Sequence, residues 1–406
     1  MVGFNTRAIH SVTLKEDVHH AIRQPIYSGV AFSFDSAEEQ EEAFRGNRPS
    51  HMYSRISNPT VEEFENKLRS LEDGIGAIAV ASGMAAISNV LITLLEAGDN
   101  IIASNALFGG TVSLLKNVLS PLGIEIRFVD LESLSATEAQ IDERTRVIFF
   151  ETIANPQMNV YDIARISQLA EKHHIVVVAD STVTTPYLFK AKSFGVNIVV
   201  HSTSKLISGG ATSIGGAIVD MGNFDWTHIK KLAKYHRLKA WAFIAKLRKE
   251  VFRDLGACLS PHHAYLQSLG LETLSLRVDR SCQNTQQVAD YLAGHPSVRQ
   301  VNYPGLANSP YRSIAKAQFN DRFGSVLSFE LADKANSFAF LNRLKIFKRA
   351  TNLGDNTSLA VHPASTIFVD YSAEDRAAMK VSEGLIRLSV GIEDIEDILQ
   401  DLEQAL

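Results

Sequence analysis

The sequence is poor in features that would set it apart from an ordinary globular protein. Cysteine occurs twice in 406 residues, as Cys258 and Cys282. That is too few to staple a chain of this size, so a disulfide scaffold is excluded and a reducing compartment is expected. Neither sign of charge dominates: 40 Lys and Arg face 45 Asp and Glu, for a net charge of −5. This gives no global reason to expect nucleic acid or an acidic membrane as partner. The N-terminal MVGFNTRAIHS holds no apolar run, so no secretory signal is expected. The most apolar window, 77–95, is long enough to cross a bilayer. Ser82, Gly83, Ser88, Asn89 and Thr93 interrupt it, and it reads as a buried strand turning into a helix. No repeat or low-complexity tract is present. With 45% hydrophobic and 21% charged residues, the chain suits a soluble, cytosolic protein of two to three domains.

The first sixty residues are polar and turn-rich and read as an arm. From Val61 the spacing of Val61, Phe64, Leu68 and Leu71 is helical. Apolar runs then alternate with helical stretches. The runs are 78–81, 100–103, 125–129, 147–150, 175–179, 197–200 and 217–219; helical spacing appears at 85–95, 111–119 and 163–173. Short β-rich runs buried on both faces and joined by helices predict a mostly parallel sheet with helices on both faces. The pattern breaks in a helical, basic region at 223–259. A long helix follows at 269–292, with strand candidates at 298–303, 325–331 and 385–390. The expected organisation is therefore an arm (1–60), a large α/β domain (61–255) and a smaller α+β domain (256–406).

Several motifs point nowhere. Gly74-Ile75-Gly76-Ala77-Ile78-Ala79 matches a loose dinucleotide fingerprint, but its glycines follow a helix and lead into a strand, the reverse of the required order. No phosphate-binding G-x-x-x-x-G-K-[ST] occurs. The pairs His19-His20, His173-His174 and His262-His263 are sequence neighbours, and H-E-x-x-H and C-x-x-C are absent, so no metal site is expected. From His228 to Lys249 there are eight Lys or Arg and no acid. The segment is either a solvated helical face or an approach surface for anionic ligands or an acidic partner.

The informative segment begins at Ile175. One strand candidate ends on Asp180; the next runs into Ser202-Thr203-Ser204-Lys205 and a glycine-rich turn. In an open parallel sheet, ligands bind beyond the carboxyl ends of the strands, where both residues would lie. A lysine directly after a buried run is costly unless neutralised or used covalently, and a Schiff base with an aldehyde cofactor is one such use. Ser202 and Ser204 are suited to a phosphate. Asp180 is suited to keeping a pyridine nitrogen protonated. The run 78–81 likewise ends in Ser82-Gly83-Met84, where free N–H groups at a helix start favour an anion.

Together with Y-S-R-I-S-N-P-T (53–60), A-S-G-M-A-A-I (81–87), L-F-G-G-T (107–111), E-T-I-A-N-P (151–156), V-V-A-D-S-T (177–182), H-S-T-S-K (201–205) and I-R-L-S-V-G-I-E (386–393), these motifs resemble the pyridoxal-phosphate enzymes of cysteine and methionine metabolism over nearly the whole chain. The resemblance implies a fold-type I transferase with pyridoxal 5′-phosphate as cofactor. Lys205 would hold the cofactor by Schiff base and shuttle protons. Asp180 would pair with the pyridine nitrogen. Ser82, Gly83, Met84, Ser202 and Ser204 would cup the phosphate. Phe108 would stack on the ring, and Arg387 with Asn155 and Asn352 would bind substrate. Tyr53 and Arg55 would reach a neighbouring subunit's phosphate, which implies a homotetramer built as a dimer of dimers.

Within the family, T-N-L-G-D-N-T-S-L-A-V-H-P-A-S-T (351–366), G-A-T-S-I-G-G-A-I-V-D (210–220) and L-S-P-H-H-A-Y-L-Q-S-L-G-L-E-T-L (259–274) lean toward the O-acylhomoserine sulfhydrylases. Two positions depart from the family pattern: Phe108 stands where most members have tyrosine, and Ile367-Phe368 where a histidine is usual. The expected reaction is γ-replacement on O-acetylhomoserine by a sulfur nucleophile, giving homocysteine and acetate for methionine biosynthesis. A cystathionine γ-synthase, cystathionine γ-lyase or methionine γ-lyase with the same machinery is the alternative. Sulfide, a small thiol or a sulfur-carrier protein would each serve as donor.

Overall fold

The computed structural model describes residues 2–10 and 19–406; Met1 and residues 11–18 of the expected arm lie outside the described residues. The arm contains two helices that its polar composition did not signal. They are α1 (Phe4–His10) and α2 (Ala37–Arg45), followed by α3 (Pro59–Leu71). Helix α1 is docked on the body: Ala8 is buried, Arg7 donates to the Ser70 carbonyl at 2.7 Å, and Phe4 packs on Tyr187. Helix α3 starts where Asn58 accepts the N–H groups of Thr60 and Val61, with Pro59 at the first helical position.

The seven apolar runs form one sheet: β1 (Gly76–Val80), β2 (Asn100–Ser104), β3 (Glu125–Val129), β4 (Thr145–Glu151), β5 (Val176–Asp180), β6 (Ile198–His201) and β7 (Gly216–Asp220), in the order β1-β7-β6-β5-β4-β2-β3. β7 is antiparallel to both neighbours and the remaining pairs are parallel. The central strands are apolar through their middles because both faces are covered, whereas edge strand β3 carries Glu125 and Arg127 and is only partly buried. Ile78, Val80, Phe149, Val178 and Val200 pack with α4 (Gly83–Leu94) on one face. Ala79, Phe150, Val177, Ala179 and Val199 pack with α3 and the helix Ile163–Lys172 on the other. The window 77–95 thus resolves into β1 and α4. No helix among the described residues is long and apolar enough to cross a membrane.

A second, five-stranded sheet comprises β8 (Gln300–Asn302), β9 (Val326–Glu330), β10 (Lys348–Arg349), β11 (Leu359–Val361) and β12 (Leu385–Ser389), in the order β10-β11-β12-β9-β8. The helix predicted over 269–292 is two helices, Pro261–Glu272 and Leu274–Ala293, that break at Thr273. There Arg277 donates to the Thr273 hydroxyl and to the Gly270 carbonyl, diverting the backbone from a continuous ladder. The apolar spacing runs through the break, which is why it reads as one helix. In the basic stretch 228–249, several cations are structural. Lys231 donates to the Ile92 carbonyl at 2.6 Å and to that of Leu95, Lys246 pairs with Glu250, and Arg248 pairs with Glu65.

Candidate active site

Because β1, β4, β5 and β6 run the same way, their carboxyl ends meet at one edge of the sheet. A cavity of about 230 Å³ opens there, lined by Ser82, Gly83, Met84, Phe108, Glu151, Asn155, Asp180, Thr182, Ser202, Ser204, Lys205 and Arg387, among others. Residues separated by more than 300 positions thus converge where the topology predicts a ligand.

One wall is an anion cup. Ser82 caps α4 by accepting the Ala85 N–H, so the first N–H groups of the helix, at Gly83 and Met84, have no helical partner. Gly83 is required by close approach: a Cβ there would lie 2.6 Å from Cβ of Ser202 and 2.9 Å from its Cα. Gly216 meets the same wall from β7, where a Cβ would lie 2.1 Å from the Ser82 carbonyl oxygen. Ser204 also lines the cavity, with its hydroxyl engaged by the Gly215 backbone.

On the floor, Asp180 accepts the Thr182 N–H at 2.9 Å, and the Thr182 hydroxyl accepts the Ser202 N–H at 2.8 Å, which ties the acid to the cup. Burial raises the Asp180 carboxyl, and the bonds from Thr182 oppose the rise. Glu151, its register partner on β4, accepts from the backbone N–H of Phe108 at 2.6 Å and of Asn155 at 3.1 Å. Burial, then the neighbouring Asp180, push Glu151 up to about 8.

Lys205 Nζ donates to Asn352 Oδ1 at 2.6 Å. Burial, then the charge of Arg387, hold its amine down to about 8. Arg277 braces the turn from behind, donating to the Leu206 carbonyl at 2.7 Å. Arg387, 1% exposed, donates to Asn155 Oδ1 at 3.3 Å and to the Asn352 carbonyl at 2.7 Å, while its Nε has no partner. Burial lowers this guanidinium to about 10. A buried guanidinium that lines the cavity is suited to a carboxylate.

The structure therefore brings together Lys205, Asp180, Phe108, Ser82, Gly83, Met84, Ser202, Ser204, Asn155, Asn352 and Arg387. It does not bring Tyr53 or Arg55 into this cavity. Arg55 donates to the Arg253 carbonyl at 2.6 Å with its guanidinium over the Tyr53 ring, and both side chains are exposed. Sequence reasoning assigned no role to Glu151 or Thr182. Glu151 carries the signal that singled out Asp180, an acid closing an apolar run.

A cup for one phosphate, an acid for a ring nitrogen, an amine for an aldehyde and a guanidinium for a carboxylate all fit pyridoxal phosphate with an amino-acid substrate. Together with the sheet topology they define a fold-type I pyridoxal-phosphate enzyme. The chain belongs to the Cys/Met metabolism PLP-dependent enzymes, whose family model matches residues 5–406. It is 41% identical to an L-methionine gamma-lyase of Pseudomonas putida (100% of this chain, 97% of the relative). It is 38% identical to an O-acetyl-L-homoserine sulfhydrylase of Corynebacterium glutamicum (99% and 96%). A solved structure from Campylobacter jejuni, of a proposed O-acetylhomoserine (thiol)-lyase with N′-pyridoxyl-lysine-5′-monophosphate at its position 205, superposes with a TM-score of 0.95 at 37% identity (100% and 99%). Pyridoxal phosphate is accordingly the cofactor, and γ-elimination or γ-replacement the family's chemistry.

Proposed function

We propose that the protein catalyses γ-replacement on O-acetylhomoserine by a sulfur nucleophile, yielding homocysteine and acetate. Bound pyridoxal phosphate supplies the electron sink for charge developing at the substrate's α-carbon. Lys205 would hold the cofactor and, as a free amine, would take the α-proton on Nζ and help move a β-proton. Its lowered basicity suits that exchange near neutral pH. Asp180 keeps the ring nitrogen protonated, and Gly83, Met84, Ser82, Ser202 and Ser204 fix the phosphate. Arg387, with Asn155 and Asn352, clamps the substrate carboxylate and so fixes which bond at the α-carbon faces Lys205.

The observation that carries the γ-replacement reading is the phenyl ring of Phe108 at the cavity wall, where no tyrosine, histidine or cysteine lies among the described lining residues. A departing γ-group therefore meets no acidic phenol from this chain's own cavity wall, and Tyr53 of a second subunit would lie toward the phosphate. Acetate, the base of an acid near 4, leaves without one; a thiolate, the base of an acid near 8.5, leaves far less readily. The stretch 351–366 supports the same branch. Methionine γ-elimination is the second reading, favoured by the 41% identity to the Pseudomonas putida enzyme.

We further propose that Tyr53 and Arg55, which lie outside their own chain's cavity, complete that of a second subunit in a dimer paired into a cytoplasmic tetramer. Product analysis of the loaded enzyme tests the reaction. O-acetylhomoserine is supplied with sulfide, with cysteine, or with a thiocarboxylated carrier protein, and homocysteine from sulfide is expected. Cystathionine from cysteine as the main product would overturn the proposal.

A further inference from the structure

We propose that Glu151 is a positioning residue that locks the aromatic wall of the site to its carboxylate clamp. This rests on the roles proposed above for Phe108, Asn155 and Arg387. The carboxyl group of Glu151 closes β4 and is buried. Its two oxygens serve different halves of the site. Oε1 accepts from the N–H of Phe108, the residue that begins the helix Gly109–Ser113, and Oε2 accepts from the N–H of Asn155, on the loop after β4. Asn155 in turn accepts from Arg387 through its side chain. One rigid strand end thus fixes the ring that flanks the cofactor and the amide that orients the guanidinium. No other side chain in the cavity bonds to both segments among the described residues.

The backbone N–H groups dictate the residue type. Two converging donors need two acceptor oxygens on one planar group, which a carboxyl supplies and an amide does not. Glutamine would accept one N–H and turn its NH₂ toward the other. Aspartate is one methylene too short to reach both segments from the same strand position. A buried donor left without an acceptor is not tolerated in place, so either replacement lets one segment shift. A shift of Asn155 loosens Arg387; a shift of Phe108 tilts the ring against the cofactor.

The test uses loaded Glu151→Gln and Glu151→Asp enzymes, titrated with glycine, which presents the carboxylate and amine with no γ-group to lose. The dissociation constant for glycine, read from the cofactor absorbance, is expected to rise about tenfold. The circular dichroism of the bound cofactor should change at the same time, while its occupancy is retained. Because glycine undergoes no γ-reaction, this readout stands whichever γ-chemistry the products reveal. Wild-type glycine affinity together with an unchanged dichroism band in either soluble variant would overturn the proposal; Glu151→Asp decides it if Glu151→Gln does not fold.

Discussion

Lys205 and Arg387 are joined through one residue: the Asn352 side chain accepts from Lys205 Nζ at 2.6 Å, and its backbone carbonyl accepts from Arg387 at 2.7 Å. The base and the clamp therefore share a support, one bond of which a side-chain substitution can remove without touching the other.

Asn352→Ala removes the acceptor of Lys205 but keeps the carbonyl that holds Arg387. Losing a hydrogen bond to a charged group costs about 1.5–3 kcal/mol, or roughly ten- to a hundredfold in rate. The fall is expected in kcat, with KM little changed, in steady-state kinetics on O-acetylhomoserine.

Arg387→Lys should do the opposite. Lysine replaces a planar fork by a single point charge and cannot engage both oxygens of a carboxylate. KM is expected to rise about a hundredfold with the cofactor still bound, and competitive inhibition by simple amino acids should weaken in parallel.

Gly83→Ala places a methyl group 2.6 Å from Ser202 Cβ, where the neighbour is anchored by its own backbone. The cup must widen. Affinity for pyridoxal phosphate should fall at least tenfold in titrations of the apoenzyme, with a smaller effect on thermal stability.

The amine of Lys205 is lowered from 10.5 to about 8 by burial in the cofactor-free protein. A folded-state pKa below the unfolded one means that folding disfavours the proton. The penalty is full below about 8 and fades as pH rises toward the unfolded value near 10.4. Lys205→Met should therefore stabilise the apoenzyme at pH 7, by on the order of 3 kcal/mol at most, and lose that advantage by pH 10.5 in thermal melts. A constant difference across that range would contradict the assignment.

Much of this architecture is legible in the sequence, for identifiable reasons. The central strands of the large sheet are short β-branched runs buried on both faces, so Val176–Asp180 and Ile198–His201 stand out from the helices around them. Asp180 and Lys205 stand out because a charge at the end of such a run needs a reason. Glu151 has the same signature, but its work is to hold the backbone of Phe108 and Asn155, and no local pattern encodes which N–H groups converge on a carboxyl. β10 and β11, two and three residues long, are too short for a period. The docking of α1 rests on single contacts, such as Arg7 to Ser70, between segments some sixty residues apart.

The central claim is that a cavity walled by Phe108 favours replacement of acetate over expulsion of a thiolate. The most direct measurement compares kcat/KM for O-acetylhomoserine plus sulfide with kcat/KM for methionine alone, in the wild type and in Phe108→Tyr. The account predicts a wild-type preference for the acetate ester of at least a hundredfold, which narrows in Phe108→Tyr as methionine cleavage rises more than synthesis. Methionine cleavage equal to or faster than homocysteine formation, unmoved by the added hydroxyl, would contradict it.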